Sequence, residues 1–579
     1  MHILLVASAY NSLTQRVHAE LRDRGHRVAV ETAGCGDAVR DAVLGHDPEL
    51  VVAPMLKSAI PRDVWSARTC LIVHPGPAGD RGPSSLDWAV HERATRWGVT
   101  VLQAGEEMDA GDIWATVDFA VPAGTSVPPV AKSDLYRGEA ADAAVTAVLL
   151  AVERFASGGY EPIPQTTLRE AVRTRPYFRQ ELRAISWADD TTETVVRTLR
   201  AADSQPGVRD ELLGGEWFLH GGHPEYGLRG RPGELLATRS GAICRATADG
   251  AVWIPELRRH RRPGMPAGLK LPATRALALA GTLPPLPEDP APPLGSDAGP
   301  QPAWSDIHYR EEGQAGFLSF SFPGGAMSTD HCRRLLDAYR AACSRPTSVL
   351  VLGGARGFFS NGIHLHVIEA SDDPAAESWA NVNAMNDLVE AVLTTTDRLV
   401  VAALGGNAAA GGVMLALAAD EVWCRSGTVL NPHYRLMGLY GSEYWTYSLP
   451  RRVGATTAER LTRQAQPVTA DSALRIGLVD RVIDRAPEEF GAEARALAAR
   501  LAPFPAIRSR IAAKKAESER RDATRPLAAY RERELARMLR TFLDPDAPYH
   551  ALRRAFTRKE QPPRTSVEPR AVAGEPTAC

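Results

Sequence analysis

The feature that most constrains this chain is an apolar strand that ends in a Gly/Ala turn and re-enters as an apolar helix, within Val400–Gly454. Leu399–Leu404 reads as the strand, and the helix runs over roughly Gly411–Ala419. A small-residue turn at a helix N-terminus presents backbone N–H groups that lack intrahelical acceptors, and negative charge is stabilised there. Beside a bound carbonyl such groups form an oxyanion hole. The same small residues also let a strand and a helix pack closely.

A second turn of this kind follows the buried-strand run Ser348–Leu352: Gly353-Gly354-Ala355-Arg356-Gly357-Phe358-Phe359-Ser360-Asn361-Gly362-Ile363-His364. Strand, glycine loop, Phe-Phe-Ser-Asn-Gly, helix, second strand and GGNAAAGG, in that order, resemble the crotonase (enoyl-CoA hydratase/isomerase) superfamily over about Ala315–Arg510. The resemblance implies that one backbone N–H from each motif, at Ile363 and Gly411, polarises an acyl-CoA thioester carbonyl. Backbone donors suit charge that develops on a carbonyl oxygen, because they need no reorganisation. It also implies acidic residues at two positions that here hold Met414 and His433. Methionine carries no titratable group, so enoyl-CoA hydration is not expected. Leu439-Tyr440-Gly441-Ser442-Glu443-Tyr444-Trp445 instead crowds a carboxylate among aromatic rings. A carboxylate so placed can have a raised pKa and act as base or acid, with Tyr440 beside it. The alternative is that Tyr440, Tyr444, Trp445 and Tyr447 are core aromatics and Glu443 pairs with Arg451 or Arg452.

The chain has 579 residues, room for several domains. Its formal net charge of −2 gives no general case for nucleic-acid or membrane binding. Seven dispersed cysteines without a signal peptide read as reduced thiols in the cytoplasm. No metal-ligand spacing is present; His364 and His366 alone do not make a site. No apolar run reaches the ~18 residues needed to span a bilayer.

Residues 1–165 alternate strands (His2–Ala7, Val28–Glu31, Leu50–Ala53, Leu71–His74) with helical patterns such as Leu13–Arg24, which argues a parallel sheet with helices on both faces. No GxGxxG follows the first strand. Ligands of open sheets sit beyond the strands' carboxyl ends, which places Ser8–Leu13, Pro54–Ala59 and His74–Ser85 on one rim. A strand-end His74 and a carboxylate in Glu107-Met108-Asp109-Ala110-Gly111-Asp112 are the parts of a charge-assisted pair able to stabilise a tetrahedral oxyanion. His-Pro-Gly…Arg-Gly-Pro with Asp-Ala-Gly-Asp-Ile resembles the folate-dependent formyltransferases, of which methionyl-tRNA formyltransferase is the best-known type. The resemblance implies that His74 and Asp109 are catalytic. It also implies that rim residues Asn11, Ser12, Met55, Leu56, Lys57, Arg81 and Gly82 build a folate pocket. Ile72 stands where that family has an Asn holding the formyl oxygen, which suggests a different acceptor or a re-aimed site.

Residues 179–272 contain short turn-separated β runs (Glu216–Leu219, Glu234–Ala237, Ala242–Ala246, Val252–Leu257) and resemble the small C-terminal β-barrel of the same transferases. The basic run Arg258-Arg259-His260-Arg261-Arg262 is a solvated face or a site for CoA phosphates or the carboxylates of a polyglutamylated folate. Residues 277–304 are a Pro-rich, extended linker. Residues 305–559 form the crotonase-like, CoA-binding part, in which Arg510, Lys514 and Lys515 lie where crotonase C-terminal helices approach CoA. Residues 560–579 have a disordered composition. The fold class is therefore α/β: a formyltransferase fold, a small β-barrel and a crotonase fold.

This fusion, with Gly79-Asp80-Arg81-Gly82-Pro83-Ser84-Ser85-Leu86-Asp87-Trp88 and Gly441-Ser442-Glu443-Tyr444-Trp445, resembles the HypX/HoxX-type maturation factors of nickel–iron hydrogenases over nearly the whole chain. The resemblance implies two steps. A formyl group passes from 10-formyltetrahydrofolate to coenzyme A, and formyl-CoA then yields carbon monoxide, a ligand of the hydrogenase iron. It also implies hydrogenase precursors or maturation proteins as partners. The alternatives are an enzyme that releases formate from formyl-CoA or formyl-folate, and a non-catalytic scaffold.

Overall fold

The computed structural model describes residues 1–122, 130–168, 172–261, 264–295, 303–354 and 356–560. Arg262, Ala355, part of the Pro-rich segment and residues 561–579 of the expected tail lie outside these.

The first sheet has six strands in the order Arg27–Thr32, His2–Ala7, Leu50–Met55, Cys70–His74, Arg96–Gln103, Ile113–Ala120. The first four pair in parallel, as the alternating pattern predicts. The last two run antiparallel, so the sheet is mixed. The reason is local: they form a hairpin whose loop carries Asp109, and a hairpin reverses direction where a helical crossover does not. Ile3 to Ala7 are fully buried between the helices Ser12–Asp23 and Glu139–Ser157 on one side and Gly36–His46 on the other. The carboxyl ends of the parallel strands bring Ser8, Leu56 and His74 to one rim; Ser8 N–H donates to the Met55 carbonyl at 2.8 Å.

The middle region packs two four-stranded antiparallel sheets and the helix Thr192–Ala201 around Val195, Leu199, Trp217, Ile243 and Val252. The expected run Val252–Leu257 divides into Ala251–Ile254 in one sheet and Glu256–Arg259 in the other. Pro255 stands between them; it has no N–H for a ladder and marks the corner where the chain changes sheets. The Pro-rich segment starts later than position 277, because Ala273–Leu279 is a helix with Leu277 wholly buried. Downstream it is pinned to the barrel: Thr238 N–H donates to the Pro287 carbonyl at 2.9 Å, and Asp289 N–H to the Thr238 carbonyl at 2.8 Å.

The C-terminal half holds a six-stranded sheet ordered Ile307–Glu312, Ala315–Phe320, Val349–Gly353, Leu399–Leu404, Glu421–Arg425, Arg481–Ile483. Three of its parallel strands each lead through a turn into a short strand of a second sheet: Phe358–Ser360, Asn407–Ala409 and Val429–Asn431. The pairing of Phe358–Ser360 with Asn407–Ala409 brings the two glycine turns together. A Cβ on Gly406 would lie 2.4 Å from the Gly357 carbonyl carbon, so only glycine allows this approach.

The halves touch directly. Asn431 Nδ2 donates to Gln15 Oε1 at 2.9 Å, Thr469 Oγ1 to Asp23 Oδ2 at 2.6 Å, and Arg425 pairs with Asp142 at 2.9 Å. Arg356 pairs with Glu139, and Arg137 lies 4.3 Å over the Phe358 ring. Among the described residues no helix is long and apolar enough to cross a membrane.

Candidate functional sites

His74 ends its strand and is 4 % exposed. Its ring lies between two carboxylates. Nδ1 is 3.6 Å from Asp109 Oδ1, and Nε2 is 3.1 Å from Asp80 Oδ2. The first separation exceeds a hydrogen bond and the second is within one. Asp109 has a left-handed backbone (φ 56°), and its Oδ2 accepts from Gly82 N–H at 3.1 Å. Gln165 Nε2 donates to the carbonyls of Asp109 (2.9 Å) and Gly111 (2.8 Å), while Gln165 Oε1 accepts from Arg81 Nε at 3.1 Å. A segment after the long helix Glu139–Ser157 thus fastens the Asp109 loop. Arg81 and Gly82 sit beside Asp109. Asn11 caps Ser12–Asp23 through Thr14 N–H and donates to Tyr136 Oη at 2.9 Å. Ser12 begins that helix, and Lys57 N–H donates to Ser8 Oγ at 2.9 Å. Met55, Leu56 and Lys57 share the rim with them, and Ile72 packs into the apolar cluster of Leu4, Val6 and Ala53.

At the second turn pair, Gly411 opens the helix Gly411–Leu417, so its N–H has no intrahelical acceptor. Gly362 has φ +78°, and a Cβ there would stand 3.2 Å from Gly411 N. Ile363 follows at once, bridged to Met327. Glu443 reaches this point from the other side: a Cβ on Gly411 would stand 3.0 Å from Glu443 Cδ and Oε1. Glu443 is 2 % exposed and, among the described residues, has no cationic partner. Arg451 instead pairs with Glu517 and Arg452 with Asp480, so the alternative pairing of Glu443 does not form. Burial pushes the Glu443 carboxyl up to about 7, although bonds from Tyr434 Oη (2.6 Å) and Ser442 N–H (3.2 Å) pull it down. The loop is held by Asn386, whose Oδ1 accepts from Glu443 N–H at 3.1 Å, and by Glu534, which accepts from the N–H groups of Tyr444 (2.9 Å) and Thr446 (2.8 Å).

Tyr440 packs with Ile363 against the cluster of Val382, Leu535 and Met538; its ring meets Trp445 edge-on at 5.3 Å, with Arg537 over it at 4.3 Å. Met414 is wholly buried in the core. His433 is 7 % exposed, its pKa is pushed down to about 4 by burial, and neither ring nitrogen has a hydrogen-bond partner among the described residues. Arg510 pairs with Glu421 (2.5 Å) and Lys514 with Asp420 (2.6 Å), at the entrance of the strand Glu421–Arg425, the end opposite the glycine turns. Among the described residues no group of His, Cys, Asp and Glu is arranged to hold a metal ion.

A set of cations lies between these regions. Burial lowers Lys559 to about 8, helped by Arg258, Lys270 and Lys57. Burial lowers His366 to about 4, helped by Lys270, Lys559 and Arg558. These residues come from the first rim, the barrel and the last helix, and His366 is three positions past Ile363. Of the lysines and arginines here, sequence reading singled out Lys57 and Arg258; Lys270, Arg558 and Lys559 lie in no motif.

Two family models match: "Formyl transferase, C-terminal domain" over residues 178–268 and "Enoyl-CoA hydratase/isomerase" over 325–563. The hydrogenase maturation factor HoxX of Bradyrhizobium diazoefficiens is 46% identical over 99% of this chain and 97% of its own length. A methionyl-tRNA formyltransferase of Geobacillus thermodenitrificans is 27% identical over 42% of this chain and 73% of its own. The crystal structure of HypX from Aquifex aeolicus in complex with tetrahydrofolic acid is 40% identical and superposes with a TM-score of 0.90, covering 97% of this chain and 96% of that one.

Proposed function

This chain belongs to the HypX/HoxX family of hydrogenase maturation factors, and from that premise we propose that it makes carbon monoxide for hydrogenase maturation from the formyl group of 10-formyltetrahydrofolate. The observation that carries the reading is Glu443: a buried carboxyl with a pKa of about 7, set against the N-terminus of the Gly411 helix.

At the first site the CoA thiol sulfur bonds to the formyl carbon and the bond from that carbon to the folate nitrogen breaks. The thiol proton ends on the folate nitrogen, giving formyl-CoA and tetrahydrofolate. His74 faces the oxyanion, with Asp109 beside it. The folate lies on the rim of Asn11, Ser12, Met55, Leu56, Lys57, Arg81 and Gly82. The complex of the Aquifex relative with tetrahydrofolic acid supports folate as the ligand of this chain.

At the second site the N–H groups of Ile363 and Gly411 polarise the formyl-CoA carbonyl. Glu443, about half ionised at neutral pH, takes the formyl proton. The carbon–sulfur bond breaks, carbon monoxide leaves, and the proton returns to the thiolate. Tyr434, bonded to Glu443, is better placed than Tyr440 to share that proton. Lys57, Arg258, Arg558 and Lys559 suit the phosphates of CoA, with Lys270 held by Glu256 at 2.7 Å beside them; the flexible pantetheine arm then carries the thiol from one site to the other. The hydrogenase precursor or a maturation protein receives the product.

The test is tetrahydrofolate release from purified protein and 10-formyltetrahydrofolate, with and without CoA. Release that requires CoA supports the thiol as acceptor; equal release without CoA contradicts it.

A further inference from the structure

The geometry points to Asp80 as the positioning residue of His74: it holds Nε2 and so leaves Nδ1, on the Asp109 side, as the nitrogen offered to the formyl oxygen. This rests on the reading that the first site transfers a formyl group. It divides the work of the two carboxylates, since both cannot orient the ring and leave an N–H for substrate.

The two are held very differently. Asp80 is 5 % exposed and saturated: Oδ2 faces His74 Nε2 at 3.1 Å and accepts from Ser85 Oγ at 2.8 Å, and Oδ1 accepts from Arg175 Nε at 2.6 Å. Arg175 is itself buried, 5.1 Å over the Trp97 ring, and Trp97 Nε1 donates to the Pro75 carbonyl at 3.0 Å. Burial pushes the Asp80 carboxyl up, but the bonds from His74, Ser85 and Arg175 outweigh it and hold the pKa below the usual range. The backbone leaves room for the contact. A Cβ on Gly76 would lie 2.4 Å from both Asp80 Oδ2 and His74 Nε2, and Thr100 Oγ1 fixes the Gly76 carbonyl at 2.9 Å. Asp109 stands 3.6 Å from Nδ1, on a hairpin loop, with its second oxygen on Gly82 N–H. Asp109 is itself fastened, by Gln165 and Gly82, but it stands beyond hydrogen-bond distance of the ring; a bonded, saturated partner behind the ring and an unbonded one in front is the arrangement of an orienting group and a side open to substrate.

The experiment uses the full chain labelled with nitrogen-15 histidine and reads the His74 ring N–H, identified among the fifteen histidines by its loss in His74→Gln. The expected result is a downfield, slowly exchanging Nε2–H that moves strongly in Asp80→Asn and stays in Asp109→Asn. In the formyl-transfer assay Asp80→Asn lowers kcat by at least about tenfold with the KM for formyl-folate within about threefold, the signature of a lost transition-state contact. Ser85→Ala keeps the carboxylate but loosens it, and is expected to shift the ring signal by a smaller amount; it serves if Asp80→Asn does not fold. An Nε2–H signal indifferent to both variants, or one that moves only with Asp109→Asn, overturns the assignment. The ring signal reads the clamp even if the wild type transfers no formyl group, so failure of the functional reading is distinguishable.

Discussion

Glu443→Gln replaces a buried carboxyl by its neutral isostere, and its effect on stability follows from the structure. The group has a pKa of about 7 in the fold against an ordinary 4.5, with burial the dominant cause. A raised carboxyl pKa means that stability is full below the unfolded value and is lost as pH rises toward the folded value. At 1.36 kcal/mol per tenfold, the loss between pH 4.5 and 7 amounts to ~3 kcal/mol, then levels off. The glutamine variant escapes it. Removing Glu443 also takes a like charge from Glu534, itself pushed up to about 7 mainly by burial and to a smaller extent by the neighbouring Glu443 carboxylate. That adds to the advantage of the variant at high pH. Any fixed cost of burying the extra amide N–H₂ is independent of pH, so the slope carries the information. Melting of wild type and variant by circular dichroism from pH 5 to 8.5 samples about 2 kcal/mol of that loss, so the variant should gain on wild type by roughly 4–8 °C up to pH 7 and level off above it. A melting difference flat in pH would refute the argument that Glu443 titrates near neutrality while buried.

His74→Ala should reduce formyl-folate consumption on the order of 10³-fold, yet leave carbon monoxide release from supplied formyl-CoA intact, as read by labelled gas trapping. Gly411→Ala should do the reverse, because its Cβ meets Glu443 at 3.0 Å beside the N–H donor; a loss on the order of 10²-fold in the second step matches the removal of one oxyanion donor. Arg356→Ala strands Glu139, whose pKa burial raises to about 7 and which Arg356, across the contact between the halves, and a backbone hydrogen bond pull down. The inter-half segment should then be cut faster by a protease at pH 8 than at pH 6, where protonated Glu139 is tolerated.

Strand-end glycine turns were legible because sterics leave few alternatives there: the approach of Gly406 to Gly357 and of Gly362 to Gly411 is written in residues that lack a Cβ. The parallel strands were legible from apolar runs. The hairpin Arg96–Gln103 and Ile113–Ala120 was not anticipated, since its alternation is diluted by Thr, Gly and Asp. Glu443 stood out by its aromatic neighbours, but its actual partner Tyr434 lay nine positions upstream beside a histidine that drew attention first. Asp80 lies within Gly79–Trp88 but carries no sequence signal of its contact with His74, because the family resemblance directs the histidine toward Asp109 alone. Glu534, Gln165 and Arg175 act from 90, 56 and 95 positions away, with no local pattern to announce them. Long-range polar contacts of this kind depend on how finished elements dock, and spacing in sequence does not encode that.

The most direct test of the account is gas release. Purified protein receives 10-formyltetrahydrofolate carbon-labelled in the formyl group together with CoA, and carbon monoxide is trapped on reduced haemoglobin. The account predicts labelled carbon monoxide in amounts matching the tetrahydrofolate formed, dependent on CoA and lost in Glu443→Gln. Tetrahydrofolate and labelled formate, with no carbon monoxide, would contradict it.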